Sequence, residues 1–182
     1  MIFETGKYYH FYNRSNNEEK LFKEEKNYRF FLGRYQQLMG DLVSTLAYCL
    51  MPTHFHFIIK INTTDYEVLK KNIAVLLSSY TKAINNTYSR HGSLFQPRSK
   101  AKVIDDINYL ITVISYVHQN PVRAKLVSRL KDWKYSSYHN LTGNIIDAIT
   151  DTDFIRQRFD SYEKYREFSE ELVNEIKREC WV

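Results

Sequence analysis

The sequence predicts an α+β sandwich: a mainly antiparallel sheet with helices on one face, followed by a helical acidic C-terminal extension. Two observations lead there. Segments with strand-like and helix-like spacing succeed one another as strand, helix, strand, strand, helix, strand, helix. The charge also changes sign late in the chain. Residues 86–135 hold nine Lys/Arg against three Asp, whereas residues 136–182 hold six Lys/Arg against ten Asp/Glu.

Tyr8 to Arg14 mixes aromatic and polar residues and reads as a first strand. Glu24 to Met39 reads as a helix, since Phe22, Phe30, Phe31, Tyr35 and Leu38 recur at mostly helical spacing, and Gly40 fits the position just past its end. Leu42 to Met51 is an apolar second strand bounded by Pro52. In His54 to Lys60, a third strand, Phe55, Phe57 and Ile59 share one face and His54, His56 and Ile58 the other. Only Pro52-Thr53 separates these two runs, which predicts a tight hairpin. Asp65 to Tyr88 is a long amphipathic helix capped by Thr64 or Asp65. A loop from His91 to Ser99 leads to a short fourth strand at Ala101 to Ile104. Asp105 or Asp106 then caps a helix expected to run to about Gln119 and to be stopped by Pro121. Phe154 to Glu179 is acidic and helical in pattern. Residues 1–142 are expected to form one domain and 143–182 the extension. The order of elements suits a ferredoxin-like sheet.

The chain has 182 residues, 43% hydrophobic and 26% charged, enough for a core. No apolar run approaches the roughly 18 residues of a membrane helix. Met1 to Lys7 carries Glu4 and no apolar secretion signal, and Cys49 and Cys180 form no disulfide framework, so a cytoplasmic location is expected. The basic middle block suits a polyanion, although a solvated basic face accounts for the charge equally well.

Three groups of residues carry chemistry. His54-Phe55-His56 puts two imidazoles on one strand face, where both can reach one metal ion; two polar residues on a half-exposed strand would give the same triplet. Thr112, Tyr116 and Asn120 form a row beside the apolar stripe Leu110, Val113, Ile114 and Val117. If that row faces the histidines, Asn120 offers a carbonyl oxygen as a third, neutral ligand and Tyr116 lies one turn away. A phenolate is a good leaving group, so a phosphotyrosine link is reversible, and a metal with neutral ligands keeps its charge for phosphate. The same spacing describes an ordinary amphipathic helix. Finally, Phe95, Gln96, Arg98, Lys100 and Lys102 form a basic loop with an aromatic for base stacking, extended by Arg14, Arg123 and Lys125.

These residues resemble a known family. Tyr48-Cys-Leu-Met-Pro-Thr-His54-Phe-His56 resembles the HUH segment of single-tyrosine transposases. Leu94-Phe-Gln-Pro-Arg98 and Ser115-Tyr116-Val-His-Gln-Asn120-Pro-Val-Arg123-Ala resemble segments of their REP-associated tyrosine transposase branch. Asp132-Trp-Lys-Tyr-Ser-Ser-Tyr138 resembles the closing segment, and Tyr8 to Arg14 the first strand. The resemblance implies a ferredoxin-like catalytic domain and a divalent metal, Mg2+ or Mn2+, held by His54, His56 and Asn120. It implies Tyr116 as the nucleophile that keeps a 5′-phosphate link and releases a 3′-hydroxyl. The implied partner is single-stranded DNA with hairpin structure. Thr53 stands where the family often has Asn and is expected to shape the hairpin turn; His10, His91, His118 and His139 are expected to be structural or surface residues. Three roles are open to the extension: packing on the domain, covering the site, or joining two copies in a homodimer. The alternative to an enzyme is a non-catalytic nucleic-acid-binding module on the same scaffold, which stacks bases on sheet aromatics.

Overall fold

The computed structural model describes residues 1–145, 147–171 and 173. Strand β1 (Tyr8–Arg14) leads through a 3-10 turn to helix α1 (Glu25–Met39). Strands β2 (Val43–Met51) and β3 (His54–Ile61) follow, then α2 (Tyr66–Thr87), β4 (Lys100–Ile104) and α3 (Ile107–Arg123). Three short helices close the described chain: α4 (Tyr138–Leu141), α5 (Asp153–Arg156) and α6 (Tyr162–Glu170). The strands form one antiparallel sheet in the order β2-β3-β1-β4. That order and the alternation of elements are the expected ferredoxin-like arrangement. The expected helix over Phe154 to Glu179 is instead two short helices, and its end lies outside the described residues. No helix among the described residues is long and apolar enough to cross a membrane.

Period-two alternation splits the sheet into two cores. Phe11, Phe55, Phe57 and Ile59 pack under Phe31 and Tyr35 of α1 and Leu76 and Tyr80 of α2. On the other face, Cys49, Met51, Ile58 and Ile104 pack under Leu110, Val113, Ile114 and Val117 of α3, joined by Phe154, Ile155 and Tyr165. Helices therefore cover both faces, not one. The physical reason is β2, where Val43 and Thr45–Met51 are all buried, so apolar side chains on both sides need cover.

Helix α3 also passes through Pro121, where the sequence suggested a stop. Proline has no N–H to offer the carbonyl four residues back, that of Val117. The side-chain amide of Asn120 supplies the missing donor: its Nδ2 lies 3.3 Å from Val117 O and 3.2 Å from Tyr116 O. At the start, Asp106 caps the helix by accepting from the Tyr109 N–H at 2.8 Å.

Past α3 the chain turns back along the free edge of β2. Leu50 N–H donates to Tyr135 O (2.9 Å) and Ser137 N–H to Tyr48 O (3.0 Å). Further on, Asp151 N–H donates to Thr45 O at 2.8 Å. The start of the expected extension is thus bonded to the sheet.

Candidate active site

Residues opposite one another in an antiparallel pair share a face. The register pairs Arg14 with His54, Tyr12 with His56 and His10 with Ile58, and on the other side of β1 pairs Tyr12 with Lys100 and His10 with Lys102. The face that α3 covers therefore carries two histidines of β3, a third from β1, and three cations.

The His54 and His56 rings stand edge to face, with centroids 5.0 Å apart. His54 Nδ1 lies 3.1 Å from Thr53 Oγ1, which leaves Nε2 as its open nitrogen. Thr53 thus orients a ring as well as shaping the turn. His56 is 1% exposed, and its Nδ1 lies 2.8 Å from Nε2 of His10. Its Nε2 is buried with no hydrogen-bond partner. Burial, with the Arg14 cation nearby, lowers the His54 imidazole to about 4. Burial, with His10 and His54 beside it, takes His56 well below the ordinary value. Burial alone lowers His10 to about 3. All three rings are therefore neutral near pH 7, the form in which an imidazole can ligate.

An unmatched buried polar atom costs about 1–3 kcal/mol, and a cation at His56 Nε2 would remove that penalty. This orphaned nitrogen, beside a second open imidazole, fits a metal ion. Among the described residues no three His, Cys, Asp or Glu are grouped to hold a metal. Two imidazoles leave several coordination positions for other oxygens, which suits an open site and not a closed structural one.

Tyr116 lies on α3, 9% exposed. Its ring packs against Tyr109 and Val173, and the Arg123 guanidinium lies 5.1 Å from its centroid. Asn120 is half-buried, and its hydrogen bonds go to its own helix through Nδ2, so Oδ1 is the end left to offer. The structure thus brings His54 and His56 together and places Tyr116 and Asn120 on the helix above their face.

Gln119, which the sequence did not single out, grips the chain after α6. Its Nε2 donates to Ser169 O (2.9 Å) and Glu171 O (2.6 Å), and its Oε1 accepts from Val173 N–H at 3.1 Å. Arg123 donates to Val173 O and, at 3.4 Å, to Gln119 Oε1. No local pattern signals this role, because the partners lie some fifty residues away. His118 is structural as expected but buried: it lies 2.9 Å from Ser137 Oγ and 3.3 Å from Tyr165 OH.

Arg14, Gln96, Arg98, Lys100, Lys102, Arg123 and Lys125 are exposed. Gln96 N–H donates to Arg14 O at 2.9 Å, which ties the basic loop to β1, and Lys100 Nζ lies 5.9 Å from the Tyr12 ring centroid. Phe95 corrects the expectation of a base-stacking ring. It is 5% exposed and packs among Phe31, Phe55 and Tyr80 in the first core, so both its faces are committed to the fold. Phe95→Ala is expected to lower stability by about 3–5 kcal/mol in urea unfolding. An exposed stacking residue would leave the unfolding midpoint unchanged.

No family model matches the sequence. A curated protein of Haemophilus influenzae (strain ATCC 51907 / DSM 11121 / KW20 / Rd), proposed to be a REP-associated tyrosine transposase, is 29% identical over 106 residues. The match covers 52% of this chain and 58% of that protein, so the chain spans under two thirds of the relative's length. A solved REP-associated tyrosine transposase bound to a REP hairpin superposes with a TM-score of 0.67 at 18% identity, over 83% of this chain and 92% of that one. By sequence over about half its length and by fold over most of it, the chain resembles the REP-associated tyrosine transposases.

Proposed function

We propose that the chain is a metal-dependent transposase and endonuclease of single-stranded DNA, acting beside hairpins through a 5′-phosphotyrosine intermediate. The observation that carries the reading is the buried, unpartnered Nε2 of His56 next to His54, on the sheet face covered by the helix of Tyr116. The hairpin substrate is drawn from the relative solved with a REP hairpin.

In this reading the Tyr116 hydroxyl loses its proton and its oxygen attacks a backbone phosphorus. The P–O3′ bond breaks, the 3′ oxygen leaves and takes up a proton, and the 5′-phosphate stays on Tyr116. Attack by a 3′-hydroxyl reverses the step, rejoins a strand and frees the tyrosine. His54, His56 and the Asn120 Oδ1 would hold Mg2+ or Mn2+, which when bound would stabilise the negative charge on the phosphate. Arg14, Arg98, Lys100 and Lys102 would pair with backbone phosphates along the open side of the same face.

The covering of Tyr116 by Val173 leaves room for the second reading, a nucleic-acid-binding module without chemistry. One assay decides between them. The protein is mixed with single-stranded hairpin DNAs and Mn2+ and run on a denaturing gel. A metal-dependent covalent band mapping to Tyr116 supports the enzyme; binding without any band supports the module. Separately, replacing both Lys100 and Lys102 with Ala should weaken hairpin binding and reduce its salt dependence by about 0.7 in log–log slope per lost phosphate contact. An unchanged slope would remove these lysines from the interface.

A further inference from the structure

His10 is a buried imidazole that the proposed reaction does not use. It lies on β1 with its ring stacked on His56 at 5.1 Å and an interplanar angle of 18°, and 4.7 Å from the Tyr12 ring. Its Nε2 is 2.8 Å from His56 Nδ1, and its Nδ1 is buried with no partner. Packing does not account for a histidine here, because an apolar ring would fill the space without an orphaned polar atom.

The two orphaned nitrogens, His10 Nδ1 and His56 Nε2, are linked through the bond between the rings. That bond holds one proton. If the proton is on His10 Nε2, then His56 carries its own proton on Nε2 and has no lone pair there to give. If it is on His56 Nδ1, then His56 Nε2 is bare and His10 carries its proton on Nδ1. Two neutral arrangements exist, and only the second can ligate.

We infer, on the metal-site reading above, that His10 is a positioning residue: its Nε2 accepts from the Nδ1–H of His56 and so holds that ring against rotation in the tautomer that presents Nε2 to a divalent cation. Metal-binding histidines usually donate their second N–H to a carboxylate, carbonyl or water, and removing that partner lowers metal affinity about 10–100-fold. Here the partner is another imidazole. Being neutral, it orients His56 without adding negative charge that would compete with phosphate for the metal.

The test is calorimetric titration of the full chain with Mn2+ in the absence of DNA. His10→Phe keeps a stacked aromatic ring, somewhat larger than the imidazole, but has no acceptor; His10→Gln keeps an acceptor. We expect His10→Phe to bind Mn2+ about 10–100-fold more weakly, and His10→Gln to recover most of the loss. The metal-free melting temperature of His10→Phe should stay near that of the parent. Parental Mn2+ affinity in His10→Phe overturns the proposal while leaving the metal site standing. Absence of Mn2+ binding in the parent chain overturns both. Should His10→Phe not fold, imidazole nitrogen NMR of the parent with Mg2+ decides. A proton on His56 Nδ1 supports the proposal, and a proton on His56 Nε2 in the loaded protein overturns it.

Discussion

Tyr116→Phe is expected to reduce covalent attachment to DNA by at least ~10^3-fold, while hairpin binding stays near the parental level. The substitution removes one oxygen and leaves the ring. The ring, which packs against Tyr109 and Val173 and lies under Arg123, is kept. Without the hydroxyl no phosphorus–oxygen bond can form at this position, and no other group on the helix row can replace it, since Thr112 donates its hydroxyl back to Asn108 O at 3.2 Å. The readout is the covalent band on a denaturing gel, with binding followed separately by a native gel shift. His54→Ala should also lose the band, through loss of Mn2+, while keeping the nucleophile. A surviving adduct in Tyr116→Phe would transfer the chemistry to another of the chain's 15 tyrosines.

Acid should destabilise the metal-free protein between pH 7 and pH 5, mostly above the range where carboxylates titrate. His10 and His118 are wholly buried, and burial lowers each to about 3; the small charge effect of His139 adds to the shift of His118. In the unfolded chain both return to the ordinary value near 6.5. Below pH 6.5 the unfolded state therefore binds protons that the folded state refuses. Depressed folded values mean that the stability is fully present above pH 6.5 and is lost as pH falls toward 3. Each ring contributes about 1.4 kcal/mol per pH unit in that window, so the two together remove roughly 4 kcal/mol by pH 5. That is a large part of the 5–15 kcal/mol typical of a domain, on the order-of-magnitude scale that applies here. His54, lowered to about 4, acts in the same direction. Thermal melts at pH 7, 6 and 5 in chelator check this, and His118→Gln should show a shallower fall. A melting temperature flat from pH 7 to 5 would contradict neutral buried rings.

Much of this architecture could be read from the residues, and the exceptions have physical causes. Phe55, Phe57 and Ile59 alternate with His54 and His56, so the face of the histidines followed from the two-residue period alone. That Tyr116 and Asn120 share one row of α3 was legible from helical spacing, while the roles proposed for them come from the resemblance. His10 was not, because Tyr8 to Arg14 is aromatic on both faces and only the pairing with β3 reveals what its ring touches. Phe95 beside Arg98 has the local look of a stacking loop; the packing that buries it comes from α1, α2 and β3, far away in sequence. Pro121 stops a helix only if nothing else serves the carbonyl of Val117, and the Asn120 amide does so from the adjacent position. The second covered face was signalled by the unbroken apolar run Leu46 to Met51 of β2, which alternation cannot explain. Gln119 had no local signal at all.

The sheet is also closed on one side and open on the other. The chain after α3 pairs along β2, so among the described residues β4 is the edge with unpaired backbone. Such an edge invites another strand, and short length and lysines are the usual defence. β4 has five residues, and Lys100 and Lys102 stand on it, with the exposed apolar side chain of Val103 between Lys102 and Ile104. The two lysines proposed as phosphate contacts thus also stand where edge strands usually carry charge against self-association. A variant lacking both would unmask an adhesive strand at the same time as it lost charge. Light scattering on that variant would separate clumping from weakened DNA binding.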